Sequence, residues 1–382
     1  MVKRRVVVLG AGVAGLETAL GLRALAEELV SVEVVAPEQD FSYRPLAVAE
    51  PFQAGEVRRF PLESLVRAAG ATLRAGRVAA LDPGQKVVTL AGGVTLPYDT
   101  AVLALGARPL EAVPGALTFR GHEDLPAFEA LLERATAGDL RRIAFVAPRG
   151  ATWPLPLYEL ALLTAGYLVE HMTRGVELVI ATPEERPLEL FGDAASTAIA
   201  QLLELRGITF EHGTAEADAV VALPLLEGVP IDGVPQDSDG FVSTDEYGWV
   251  LGLNDVYAAG DLTQFPIKQG GLAAQQAEAV ASSIAADAGA LVRPVTFKPV
   301  LRGLLLTGMT PRFLRAGPGG HPSVVDTQPL WWPPAKIVGR YLTPFLADHL
   351  GLAKEATRPP QVKALQVDVA LDTGDHAVWS SV

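Results

Sequence analysis

The stretch VVVLGAGVAG, residues 6–15, decides the fold of this chain. Its first four residues form an uninterrupted aliphatic run, which is typical of a strand buried on both faces of a parallel sheet. The run leads into a complete GxGxxG, and a stretch with helical spacing of its leucines follows. In this context the first glycine permits the turn, the second lets a pyrophosphate approach, and the third allows close helix–strand packing. We therefore predict a dinucleotide site whose phosphates face the helix N-terminus and which contains Gly10, Gly12, Val13, Ala14 and Gly15.

The acidic residue that holds the ribose in such sites is displaced in this chain. It is expected about 20 residues after the glycines, where the second strand ends. The second strand reads VEVVAPE over residues 32–38, so the register places the acid at Ala36. Glu38 is the nearest substitute, and we take Ala36 and Glu38 as the candidate ribose positions.

Composition excludes several classes of protein. The 382 residues carry a net charge of −13, which repels phosphate backbones and argues against a nucleic-acid partner. Cysteine is absent, which excludes a disulfide scaffold, a zinc–thiolate site and a cysteine redox relay. The six histidines show no metal-binding spacing, so no metal site is predicted. No apolar run approaches the ~18 residues of a membrane span, and no signal peptide is recognisable, so we expect a cytoplasmic location.

Three later stretches resemble the FAD-dependent pyridine-nucleotide oxidoreductase superfamily, the flavoproteins with two dinucleotide-binding domains. They are YDTAVLALGARP at 98–109, DVYAAGD at 255–261 and GGLAAQQA at 270–277. The stretches DFSYRPL at 40–46 and IKQG at 267–270 resemble the branch that contains sulfide:quinone oxidoreductases and type II NADH dehydrogenases. The motifs occur in the order that this branch requires.

The resemblance implies non-covalently bound FAD and an α/β fold with two Rossmann-like dinucleotide-binding domains. The flavin domain would be split by an inserted nicotinamide-type domain, and a small C-terminal α+β segment would cap it. The expected boundaries are 1–110 and 246–295 for the flavin domain, 111–245 for the insert and 296–382 for the cap. The implied additional FAD-binding residues are Arg44, Pro45, Val78, Ala104, Leu105, Gly106, Gly260, Asp261, Lys268, Gln269, Gly270 and Gly271.

Two residues are candidates for a role in catalysis. Lys268 precedes the helix whose N-terminus would face the flavin pyrimidine edge, where reduced flavin carries negative charge. Glu159 falls in the Glu-Leu-Ala helix of the inserted domain, where the resemblance implies proton handling or substrate positioning. A Glu near a helix N-terminus is also explained by the helix dipole alone, so Glu159 has two interpretations.

The inserted domain lacks a normal phosphate loop. Where a second GxGxxG is expected, residues 147–158 read APRGATWPLPLY. Prolines offer no N–H, and Trp153 is bulky where the backbone must approach a phosphate. Either NAD(P)H binding is lost or weakened, or the side chains of Arg149 and Arg186 hold the phosphates.

The C-terminal part shows strand patterns and one amphipathic stretch. Residues 297–308 predict a strand with a hairpin partner at 312–315, and alternation over 365–371 predicts a last strand. From Ala335 onward, apolar residues up to Leu346 share one helical face, next to Trp331 and Trp332. Such a helix suits either peripheral contact with a membrane or packing over the flavin or against a second subunit.

The functional prediction is a flavin-dependent oxidoreductase that passes two electrons to a quinone-like or other small acceptor. NAD(P)H is a candidate donor, whereas sulfide chemistry through cysteine has no atoms to form it. The partners would be small donors and acceptors, with peripheral membrane contact at the inner face of the cell membrane and a homodimer as further expectations. The alternative is a non-catalytic or cofactor-sensing flavoprotein with a degenerate nicotinamide site.

Overall fold

A computed structural model describes residues 2–316 and 323–351. Its strands, in chain order, are β1 (Arg4–Leu9), β2 (Val30–Ala36), β3 (Asp40–Tyr43), β4 (Arg58–Pro61), β5 (Thr72–Ala75), β6 (Val78–Asp82), β7 (Val87–Leu90), β8 (Thr95–Pro97), β9 (Thr100–Leu103), β10 (Ala107–Leu110), β11 (Leu117–Thr118), β12 (Arg142–Val146), β13 (Glu177–Thr182), β14 (Ile208–His212), β15 (Ala219–Ala222), β16 (Leu225–Gly228), β17 (Val256–Ala258), β18 (Leu301–Leu305), β19 (Arg312–Ala316) and β20 (Val324–Asp326).

The α-helices are α1 (Val13–Ala26), α2 (Leu62–Ala68), α3 (Leu125–Ala137), α4 (Leu155–Glu170), α5 (Asp193–Leu205), α6 (Gly270–Asp287) and α7 (Leu342–His349). Short 3-10 helices span Arg44–Phe52, His122–Asp124 and Glu189–Phe191.

The first sheet is built from two distant parts of the chain. Its order is β17-β9-β1-β2-β5 and all of its pairings are parallel. The aliphatic run of β1 is buried, as a strand covered on both faces must be. Because β17 joins β9 at one edge, residues from the late part of the chain complete the sheet that begins the protein.

A second parallel sheet lies in the insert. Its order is β11-β15-β12-β13-β14, with α4 following β12 and α5 following β13. The two parallel sheets confirm the expected pair of Rossmann-like units. The chain leaves the insert with β16, which pairs antiparallel to β10, and Ile231 and Val242 already pack in the core of the first unit. The return to the first unit therefore begins before residue 246.

The C-terminal segment adds a three-stranded antiparallel sheet of order β18-β19-β20. The hairpin of β18 and β19 lies where the strand patterns predicted it. The predicted last strand at 365–371 lies outside the described residues. Within those residues, no helix combines the length and the apolar character that crossing a bilayer requires.

The prediction of a helix that begins at Ala335 is wrong, because α7 begins only at Leu342. The buried side chain of Glu17, on α1, accepts hydrogen bonds from the N–H groups of Tyr341 (2.9 Å) and Leu342 (2.6 Å). This long-range cap sets the start of α7, and Leu342 and Leu346 then pack into the core beside α1 and α6. The apolar stripe therefore faces the protein interior.

Glu17 makes stability depend on pH. Burial raises its pKa to about 7, against the opposing N–H groups of Tyr341 and Leu342. Because this folded-state pKa lies above the unfolded value, the stability contribution is present at low pH and is lost as pH rises through about 7. Glu17→Gln resembles the protonated acid and does not titrate. Between about pH 6 and about pH 8.5, the free energy of unfolding of wild type should therefore fall by on the order of 1 kcal/mol more than that of this variant.

Chemical unfolding of both proteins at the two pH values measures this difference. Burial also raises the pKa of Glu184 to about 7, so Glu184 adds to the pH dependence of stability in both proteins. The informative quantity is therefore the difference in pH dependence between wild type and Glu17→Gln. Glu63→Gln, at an exposed position of α2, is the control and should follow the wild type. Equal pH slopes for wild type and Glu17→Gln would contradict the assignment.

Candidate active site

The glycine turn after β1 has three different environments for its three glycines. Gly10 has φ +109°, and a Cβ added there would collide with the carbonyl oxygen of Ala104. A Cβ on Gly15 would collide with the carbonyl oxygen of Gly10. At Gly12, by contrast, no atom of the described residues lies within 4 Å of an added Cβ. The turn is therefore tight at its ends and open at its centre, where Gly12 is the N-cap of α1. This is the shape that a pyrophosphate requires.

The second flavin motif meets this turn directly. A Cβ on Gly260 would lie 3.0 Å from the Cβ of Ala14, although the two residues are far apart in sequence. The N–H of Gly260 donates to Oε1 of Gln276 (2.7 Å), which holds the end of the β17 segment against α6. The early glycine turn and the late Gly260-Asp261 pair thus converge, and the residues present fit FAD.

Asp261 and Lys268 form an electrostatic pair at the end of this segment. Burial raises the pKa of Asp261, while Lys268 and Arg44 oppose the rise. Burial lowers the pKa of Lys268 to about 8, against the attraction of Asp261 and Asp237. The ammonium of Lys268 donates to the carbonyl of Thr263 and lies 3.7 Å from the ring centroid of Phe241. Lys268 is therefore held in place by a hydrogen bond and a cation–π contact, and nearby carboxylates add electrostatic attraction.

The N-terminus of α6 is capped by Gln269. Its Oε1 accepts from the N–H of Leu272 (2.9 Å), and its Nε2 donates to the carbonyl of Arg302 (3.0 Å). The side chain of Gln269 thus caps α6, and the residue also lines the cavity described below. Within the described residues, the N–H groups of Gly270 and Gly271 have no acceptor, so the helix end supplies two free donors and positive potential.

A cavity of about 320 Å³ lies between the two Rossmann-like units. It brings together seven of the residues predicted from sequence, namely Arg44, Pro45, Glu159, Asp261, Lys268, Gln269 and Gly270. Other predicted residues lie elsewhere. Ala36 is buried at the end of β2, Glu38 is exposed beyond it, and Val78 begins β6. Ala104, Leu105 and Gly106 follow β9, and the first two border the glycine turn at Gly10.

Sequence reasoning missed Lys336, which lines the same cavity. Its ammonium lies 2.6 Å from Oε2 of Glu159 and donates to the carbonyl of Pro45 (3.0 Å). The other oxygen of Glu159 accepts from the N–H of Leu306 (2.8 Å). The side chains are 8% and 0% exposed, and burial raises the pKa of Glu159 while Lys336 opposes the rise. No local sequence pattern predicts this pair, because its two residues are 177 positions apart in the chain.

The loop of the insert that would hold a phosphate carries a tryptophan and prolines that pack against neighbouring elements. The ring of Trp153 packs on Phe191, with centroids 5.9 Å apart, and Pro154 precedes the first turn of α4. The hydroxyl of Tyr158 donates to Oε2 of Glu184 (2.7 Å), beyond the end of β13. Of the two arginines considered as phosphate ligands, Arg186 is paired with Asp193 and Arg149 is exposed.

Comparisons with known proteins identify a family from the sequence and a shared fold from the structure. A family model described as pyridine nucleotide-disulphide oxidoreductase matches residues 4–221. The sulfide:quinone oxidoreductase of Aquifex aeolicus is similar in structure, with a TM-score of 0.74, 18% identity and coverage of 85% of this chain and 86% of that chain. A ferredoxin reductase of Rhodopseudomonas palustris has a TM-score of 0.59 and 17% identity over 82% of each chain.

The NDH2 of Plasmodium falciparum, solved in complex with NADH, is also similar. Its TM-score is 0.55 and its identity 15%, with coverage of 69% of this chain and 65% of that chain. At these identities, the three structures establish the shared fold, whereas the match over residues 4–221 concerns the sequence itself.

Proposed function

The chain belongs to the pyridine nucleotide-disulphide oxidoreductase family, and from that premise we propose that it passes two electrons through FAD to a quinone-like acceptor. Membership makes it a flavin-dependent oxidoreductase with FAD as its cofactor, in a family that uses NAD(P)H. Bound FAD supplies a carrier that takes up two electrons and releases them at its ring system. An enzyme is thus favoured over the non-catalytic alternative.

One observation supports the acceptor class, namely a cavity with an apolar side and a buried ion pair in its wall. Phe119, Trp153 and Leu155 line the cavity on the side of the insert, and Glu159 and Lys336 lie beside them. Converting a quinone into a hydroquinone consumes two electrons and two protons. The apolar rings fit a flat acceptor, and the Glu159–Lys336 pair offers groups that hold and release protons next to it.

The absence of cysteine limits the routes by which electrons can pass between a donor, the flavin and an acceptor. With no cysteine in the sequence, neither a dithiol nor a persulfide is available to relay them. The donor and the acceptor would therefore both exchange electrons directly with the flavin, without a sulfur relay. Lys268 and the free N–H groups of Gly270 and Gly271 hold positive potential beside the cavity, which stabilises the negative charge that reduction brings.

We further propose that NAD(P)H binds weakly to this chain. The loop 147–154 contains only one glycine, Gly150, of the three whose turn lets backbone N–H groups hold a pyrophosphate, and Trp153 packs near Phe191. Glu184 is the acid after β13 that would bind the adenosine ribose, and it already accepts a hydrogen bond from the hydroxyl of Tyr158. Peripheral membrane contact and a homodimer stay predictions.

Anaerobic mixing tests the acceptor. Protein reduced with dithionite and freed of excess reductant should regain the absorbance of oxidised flavin when a water-soluble ubiquinone analogue is added. Two reducing equivalents should be transferred per flavin. Ferricyanide, a one-electron acceptor without an apolar ring, is the control. Rapid oxidation by ferricyanide together with no reaction with quinones would contradict the proposal.

The same apparatus tests the donor side. Oxidised protein mixed with NADH or NADPH should bleach with an apparent Kd above about 1 mM, the upper end of ordinary Michaelis constants. Bleaching at micromolar NADH would contradict weak binding and would leave the quinone proposal standing.

A further inference from the structure

A second cavity, of about 510 Å³, lies between α6 and residues 332–344. It is distinct from the cavity that contains the predicted flavin residues, and the two share a single lining residue, Arg302. Its volume falls within the range of ordinary small-molecule sites. We refer to it as the C-terminal cavity.

The charged side chains of the C-terminal cavity are mostly basic. Lys298, Arg302 and Arg340 line it, against the single carboxylate of Glu278. Oε1 of Glu278 accepts from the backbone N–H of Arg340 (3.1 Å), so this carboxylate is already hydrogen-bonded. A surplus of positive charge in a protein whose net charge is −13 marks a local attraction for anions.

Arg302 is the most informative of these residues because it is half-buried. Within the described residues, its guanidinium makes no hydrogen bond and no ion pair within 4 Å. Burial lowers its pKa although Glu278 acts in the opposite direction. A half-buried guanidinium that has no described carboxylate within 4 Å keeps its donors available, and an anion with acceptor oxygens can pair with them and offset the cost of partial burial.

Trp332 supplies a second unused donor in the same wall. Its Nε1 is buried and has no hydrogen-bond partner among the described residues, whereas the neighbouring Trp331 donates to the carbonyl of Ala335 (2.9 Å). The ring of Trp332, with Pro333 and Pro344, makes one side of the cavity apolar. Cationic groups, a free N–H and a flat apolar wall thus meet in one space.

We propose that the C-terminal cavity binds a small organic anion with a flat apolar body, of the aromatic carboxylate or sulfonate class. Its charged group faces Arg302, Lys298 and Arg340, and its ring lies against Trp332. Arg302 also lines the cavity of about 320 Å³ between the two Rossmann-like units. An anion bound in the C-terminal cavity therefore changes the positive potential at the flavin. The binding itself does not depend on which molecule accepts electrons.

Isothermal titration calorimetry on the full-length, FAD-loaded protein tests this binding. The probe is naphthalene-1-sulfonate, and its uncharged counterpart of similar shape is naphthalene-1-sulfonamide. The sulfonate should bind at one site and at least about tenfold more tightly than the sulfonamide. Equal affinities for the two probes would overturn the proposal, because charge would then play no part.

Matched variants locate the site. The double variant Lys298→Gln/Arg340→Gln should weaken sulfonate binding at least about tenfold. The control Arg59→Gln/Arg174→Gln removes the same charge from exposed residues outside both cavities and should bind like wild type. Equal weakening in both double variants would overturn the site, since it would reflect net charge alone. Trp332→Phe keeps an aromatic ring, removes the N–H and should bind the sulfonate more weakly.

The flavin itself reports the coupling. Saturation with the sulfonate should perturb the visible absorption spectrum of the flavin, and Arg302→Gln should abolish the perturbation. An unchanged spectrum at saturation would overturn the coupling through Arg302. Cosedimentation with phosphatidylglycerol vesicles that depends on Lys298 and Arg340, without any binding of the sulfonate, would assign these charges to a lipid surface and overturn a dissolved ligand.

Discussion

Replacing Gly12 by valine should give a folded protein that no longer retains FAD. A Cβ at this position meets no atom of the described residues within 4 Å, and the backbone is in an ordinary extended conformation (φ −76°). The fold therefore accommodates the side chain. The pyrophosphate does not, because its contact with the backbone N–H groups of α1 requires the space that valine fills.

We expect the affinity for FAD to fall about 100-fold or more, since the closest phosphate contacts are lost. The measurement is FAD uptake by apoprotein, followed by flavin absorbance, with circular dichroism melts to verify the fold. Gly166→Val is the matched control, because a Cβ on Gly166 also meets no described atom but lies within α4. It should bind FAD normally. A yellow Gly12→Val protein with unchanged affinity would refute the placement of the pyrophosphate.

Gly10→Ala distinguishes a blocked site from a damaged fold. Its Cβ would collide with the carbonyl of Ala104, and alanine disfavours φ +109°. This variant should lose stability as well as FAD, whereas Gly12→Val should lose FAD alone.

Lys336→Met should reduce the free energy of unfolding by about 3–5 kcal/mol, the cost of leaving one partner of a buried ion pair uncompensated. Glu159 is fully enclosed, so its charge has no access to water once the ammonium is removed. Loss of Lys336 also removes the influence that lowers the pKa of Glu159, which raises that pKa further. The destabilisation should therefore be larger at alkaline than at acidic pH.

Urea unfolding of the single variants and of Lys336→Met/Glu159→Leu measures the coupling between the two side chains. The double variant should be more stable than Lys336→Met alone, because no charge is left without a partner. Arg67→Met is the exposed control. It breaks an i,i+4 pair with Glu63 in which both side chains are about three-quarters exposed, and it should cost less than about 1 kcal/mol. Similar losses for Lys336→Met and Arg67→Met would contradict the burial argument.

Local sequence was sufficient where the requirement is itself local. The GxGxxG spacing predicts the turn and its open centre at Gly12, and a Cβ on Gly15 would collide with the carbonyl of Gly10 within the turn itself. The contact that excludes a side chain at Gly10, by contrast, comes from the carbonyl of Ala104 in another part of the chain. Local sequence also predicts β1, whose aliphatic run is buried on both faces. These predictions needed no knowledge of the rest of the chain.

Patterns failed where a distant residue decides the outcome. The apolar stripe from Ala335 predicts a helix start that is seven residues too early, because the cap comes from Glu17 on α1. Gln269, whose contact with FAD stays a prediction, lines the cavity, and its side chain also donates to the carbonyl of the distant Arg302, which no local pattern predicts. Hydrophobic periodicity carries no information about which remote side chain reaches a helix end.

The sequence by itself determined the two Rossmann-like units, the glycine turn and the exclusion of cysteine chemistry, because backbone sterics, strand and helix periodicity and composition are properties of the chain read in order. Only the tertiary structure decided that Lys336 forms an ion pair with Glu159, that Arg302 lines two cavities and that the hydroxyl of Tyr158 donates to Glu184. Each of these contacts joins residues from separate elements, so packing selects them after the local elements have formed.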